Sequence, residues 1–99
     1  MLPSDIGAAA ESLSHLVTLT ASGWNSTTKQ QTVSCADVLA DVTKQEIHAM
    51  PVDASAGNAY YSAGIMPVAQ AANSLTFYAE TIPTADIGVY VAIHPLKFS

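Results

Sequence analysis

From Leu16 onward the chain alternates. Val17, Leu19 and Ala21 take every second position against Thr18 and Thr20, a period of two built from β-branched residues that predicts a half-buried strand. A turn-like stretch, Ser22 to Thr28, follows, and Thr32 to Cys35 predicts a second strand with Val33 and Cys35 pointing inward. Ala36 to Thr43 reads as a loop or a short irregular strand. Gln45 to Met50 predicts a third strand with Ile47 and Ala49 on one face, ended by Pro51, which cannot donate to a ladder. Asp53 to Gly64 is small and polar and reads as loop. Ile65 to Gln70 and Leu75 to Glu80, separated by the turn residues Ala71 to Ser74, predict a hairpin with Leu75, Phe77 and Ala79 on one face. After a loop fixed by Pro83, Ile87, Val89, Val91 and Ile93 line one side of a final strand, and Gly88, Tyr90 and Ala92 line the other.

Both faces of that last strand are apolar. One buried face is enough in a two-layer stack of sheets, so the face of Tyr90 and Ala92 asks for a second cover. Tyr78 shows the same property one strand earlier. These three residues, Tyr78, Tyr90 and Ala92, are the candidate contact surface for a second copy. Six or so short strands with regular turn signals predict an all-β fold, a compact antiparallel β-sandwich, and a jelly-roll-like variant has the same sequence pattern.

Ahead of the strands, Pro3 to His15 is rich in Ala and Ser. Ser4 is placed to cap a helix before Asp5 and Ile6, Gly7 argues against one, and a short helix or an extended arm both fit. The domain organisation is therefore an N-terminal arm or connector over residues 1–15 and one β domain over residues 16–99. The length suits a single domain without a separate catalytic one.

Composition sharpens the self-association idea. Only 11 % of residues are charged, against roughly a quarter in ordinary domains, while 49 % are hydrophobic. No charged residue occurs between Asp53 and Glu80. Such surface suits copies of the same chain. A net charge of −5 with three lysines argues against a nucleic-acid partner, which needs clustered basic residues. No apolar run approaches the ~20 residues of a membrane span, so no membrane insertion is expected. The first residues lack a basic stretch and do not resemble a secretory signal. A single cysteine, Cys35, forms no intrachain disulfide and reads as a small buried hydrophobe of a protein made in a reducing cytoplasm.

Catalysis has no visible carrier. His15, His48 and His94 lie far apart without HExxH spacing and read as surface or interface histidines, so no metal ligand is assigned. No serine sits in a G-x-S-x-G elbow and no glycine spacing cradles a phosphate, which leaves no catalytic residue, no cofactor site and no enzyme. Asp37, Asp41 and Glu46 flank a loop, where a solvated role is the plain reading and a weak calcium site the alternative. The aromatics offer more. Trp24 in a turn, and Tyr60 with Tyr61 in a loop, are candidates to stack on sugar rings, since such side chains join an apolar face to a polar tip. The competing reading makes Trp24 a plug at one end of the domain with Tyr60 or Tyr61 as its partner.

Three runs carry a resemblance: "VTLTASGW" at Val17 to Trp24, "QTVSCADVLAD" at Gln31 to Asp41, and "AGIMPVAQAANSLTFYAETIPTADIGVYVAIH" at Ala63 to His94. They look like a small β-rich domain of tailed-bacteriophage and prophage virion structural proteins, of the tail-fibre terminal or capsid-decoration type. The similarity spans roughly residues 17 to 94, and "LPSDIGAAAESLSH" resembles the linker before such domains. Two features depart from the pattern: no long shaft precedes the domain, and Cys35 stands where valine is usual. The resemblance implies a virion protein made in the bacterial host cytoplasm, self-assembling as a homotrimer and attaching to a host cell-surface glycan or protein. The alternative it implies is a capsid decoration or cement protein that binds other virion proteins of the phage's own shell.

Overall fold

The computed structural model describes residues 13–96. In chain order the elements are β1 (Leu13–Leu19), a 3-10 turn (Ala21–Gly23), β2 (Gln30–Ser34), β3 (Gln45–Pro51), α1 (Ala54–Ser62), β4 (Ile65–Ala71), β5 (Ser74–Ala79) and β6 (Ile87–Pro95). They form two three-stranded antiparallel sheets, the first in the order β1, β6, β3 and the second in the order β2, β5, β4. Only the β4–β5 hairpin stays within one sheet. Every other connection carries the chain from one sheet to the other.

The alternation explains the core. Ile87, Val89, Val91 and Ile93 are fully buried on one side of β6, and Leu75, Phe77 and Ala79 on one side of β5, because these are the central strands of their sheets. Val17 and Leu19 from β1 join them, and side chains of both sheets form one common cluster. Two buried glutamines tie the loops to it. Gln31 accepts from the Thr20 amide and donates to the Thr20 carbonyl, both at 3.0 Å. Gln45 accepts from the Leu39 amide at 2.9 Å and donates to the Asp37 carbonyl at 2.7 Å. Each buried amide is thus paired, which avoids the roughly 1–3 kcal/mol penalty of an unsatisfied polar group.

Asn73 organises the far end. It takes a left-handed backbone conformation in the β4–β5 turn, accepts from the Cys35 amide at 2.9 Å and donates its own amide to the Val38 carbonyl at 2.8 Å. Those bonds hold the segment after β2, with buried Val38, beneath the hairpin.

The stretch from Asp53 to Gly64, expected as loop, contains α1. Asp53 caps it, its carboxylate accepting from the Ala56 amide at 2.8 Å, and alanines within it favour the helix. Gly64 at φ +64° ends it. The expected connector also reaches too far: β1 begins at Leu13, so His15 is a strand residue paired with Val91. The rest of that connector, with its Ser4 cap, lies outside the described residues. Tyr78 does not share a face with Tyr90 and Ala92. The first belongs to β5 in the second sheet and the other two to β6 in the first, and each points away from the common core.

Candidate functional site

The outward positions of the first sheet form three rows across β1, β6 and β3. Antiparallel register aligns Leu16 with Tyr90 and Met50, then Ser14 with Ala92 and His48, and places His94 beside Glu46 in the row below. Above them Val52 closes over Gly88, where an added Cβ would stand 3.1 Å from a Val52 methyl. Cover stops there. Leu16 is 63 % exposed, Met50 60 % and Tyr90 50 %.

Helix α1 brings a fourth apolar side chain to this face. Tyr61, 70 % exposed, meets Tyr90, Met50, His48, Ala92 and Ser14 around an open hollow of about 410 Å³. No Asp, Glu or Lys occurs in the rows of Tyr90 and Ala92. What the arrangement can do is bury apolar surface against something uncharged.

The three aromatic candidates separate. Trp24 is buried just after the 3-10 turn, where Gly23 packs so tightly against Thr20 and the Gln31 amide that a Cβ would fall 2.6 Å from Thr20 Oγ1. It plugs the core and offers no ring to a ligand, and its indole N–H finds no acceptor among the described residues. Tyr60 is buried as well, because the helix turns it inward while turning its neighbour out, and burial, with the adjacent Tyr61 phenol, pushes its pKa up. The two rings meet edge to face at 5.3 Å. Only Tyr61 is presented to solvent, and the structure joins it to Tyr90 and Ala92 rather than to Trp24.

The titratable groups are also sorted by the fold. His15 hydrogen-bonds Asp37 at 2.9 Å and ties β1 to the segment after β2. Asp41 accepts from the Thr43 hydroxyl at 2.6 Å and amide at 2.9 Å, bonds that hold its carboxyl below the usual range. The Cys35 thiol is pushed up by burial and by the Asp37 charge, so it stays protonated and unreactive at neutral pH. His48 and His94, far apart in sequence, lie together on the outer face of the first sheet, rings edge to face at 5.7 Å, with Glu46 3.5 Å from His48 Nε2. Among the described residues no three His, Cys, Asp or Glu side chains of one chain come together to hold a metal ion. Among them, too, no helix is long and apolar enough to cross a membrane.

Sequence reasoning missed Leu16, Met50 and the histidine pair. Strand parity was the available signal: in β3 and β6 the even-numbered positions point outward, which places Met50, His48, His94 and Tyr90 on one surface once the two strands are paired. No family model, curated protein or solved structure matches the chain.

Proposed function

We propose that this chain is a non-catalytic structural module, a β-sandwich of jelly-roll-like kind, that assembles with copies of itself through the outer face of its first sheet. The carrying observation is the uncharged row of Leu16, Tyr90 and Met50, extended by Tyr61. Those four side chains together expose on the order of 500 Å², a large share of the ~800 Å² that each partner of a standard interface covers. A net charge of −5 makes copies repel elsewhere. In the rows of Tyr90 and Ala92 a copy meets no such barrier, which favours self over a charged partner.

The virion setting rests on the resemblance alone. On that reading the module is a tail-fibre tip, a homotrimer made in the host cytoplasm, with Tyr61 at the rim of the interface available to a cell-surface glycan or protein. Multivalent contact would then raise individually weak binding by about 10² to 10⁴.

Light scattering after size exclusion tests the assembly. The wild-type chain is expected at about three times the 10.3 kDa of one copy. Tyr90→Lys is expected at the monomer mass with unchanged circular dichroism, since Tyr90 is half-exposed in the protomer and an unpaired lysine in an interface costs several kcal/mol. A wild-type monomer at micromolar concentration overturns the reading. Binding to phage shells but to no host cell would assign the module to decoration instead of attachment.

A further inference from the structure

We infer that His48 and His94 are half of a zinc site that a neighbouring copy completes, so that a divalent transition-metal ion bridges the assembly. The inference rests on the proposed self-association through this face. It starts from geometry: the two rings belong to adjacent strands, in neighbouring rows of the outward face, and their centres are 5.7 Å apart. Two imidazoles bound to one tetrahedral ion at a metal–nitrogen distance of ~2.0–2.1 Å hold their ring centres roughly 5 Å apart. A small rotation of His48 closes that gap, and its side chain is 62 % exposed and free to make it.

The surroundings suit the ion. Imidazole is a borderline donor that zinc, nickel and copper accept and that magnesium and calcium do not favour. A ligating histidine characteristically gives its other ring N–H to a carboxylate, and Glu46 stands 3.5 Å from His48 Nε2, on the side that would leave Nδ1 for the metal. Two protein donors are too few for a closed tetrahedral site. The missing positions fall to the neighbour, because His48 borders the row of Tyr90 and Met50 and is covered with it when a copy seats there. The neighbour's donors are further imidazole or carboxylate groups, the types zinc accepts.

The experiment uses the full chain freed of metal with EDTA and titrated with Zn²⁺ alone, read by calorimetry and by light scattering. Expected are saturable binding, with at most one ion per chain, and a shift of the assembly to at least tenfold lower protein concentration. His48→Ala and His94→Ala are each expected to lose at least tenfold in zinc affinity and the whole of that shift, while His15→Ala keeps both. Zinc binding that is equal in wild type, His48→Ala and His94→Ala overturns the site, as does the absence of any binding. If the EDTA-treated chain still assembles, Tyr90→Lys still abolishes assembly and zinc changes nothing, the metal inference falls and the self-association stands. A chain that is monomeric with and without zinc overturns both.

Discussion

The outer faces of the two sheets are built by the same alternation and end differently. On the second sheet the outward positions mix polar and apolar groups: Thr32 and Thr76 hydrogen-bond across β2 and β5 at 2.7 Å, Ser34 stands opposite Ser74 and Gln30 flanks Tyr78, while β4 adds Met66, Ala69 and Ala71. On the first sheet the matching positions are Leu16, Tyr90, Met50 and Ala92. Both faces back onto the same core, so burial within the chain does not explain the contrast. Along β2 and β5 the second sheet satisfies outward hydroxyls across its own strands, whereas on the first sheet the row of Leu16, Tyr90 and Met50 stays open among the described residues. That open row is where the proposed assembly differs from the rest of the surface.

The largest expected effect removes what the two faces share. Phe77 is completely buried between them, and Phe77→Ala should cost roughly 3–5 kcal/mol, a large part of the ~5–15 kcal/mol typical of a domain. Denaturant unfolding checks this, and near-wild-type stability would mean that the sheets do not depend on one core. A sharper test compares the faces directly. Thr32→Lys on the second sheet should lose about 1 kcal/mol of protomer stability with its hydrogen bond to Thr76 and leave the oligomer mass untouched, while Tyr90→Lys does the reverse. Equal effects on mass would erase the distinction.

The smallest effect is alkaline. Cys35 and Tyr60 have pKa values raised above the ordinary 9.0 and 10.0, chiefly by burial. Below those values both are protonated whether the chain is folded or not, and their contribution is fully present. As pH rises past 9 the unfolded chain loses the Cys35 proton more readily than the folded one, so stability falls, and Tyr60 adds to the fall past 10. A melting temperature that declines from pH 8 to 11, with a shallower decline in Cys35→Ala, is the expected result.

The strands were legible in the sequence because a period of two survives the loss of all tertiary information. Val17 and Leu19, Ile47 and Ala49, and the run Ile87 to Ile93 announce their inward faces by themselves. Helix α1 was hidden because its residues are small and it buries one large side chain, Tyr60, leaving no stripe to read, although Asp53 as cap and Gly64 as stop were both present. The Tyr90 face was legible as an apolar second face of β6. Its membership was not. Tyr61 reaches it through a helix, His48 and Met50 reach it through strand pairing, and Tyr78 lies on the other sheet; period cannot say to which sheet a strand belongs.

The order of strands in the first sheet also sets when it can form. β1 and β3 both pair with β6, the last strand, and Leu13 finds its partner in Ile93 at the opposite end of the described chain. During synthesis neither early strand has its neighbour until β6 emerges. Such distant pairings close large loops before any contact repays them, which puts folding toward the slow, millisecond-to-second end for a domain of this size. Until then β1 and β3 offer bare backbone edges to other nascent chains, and slow elongation before β6 would lengthen that exposure.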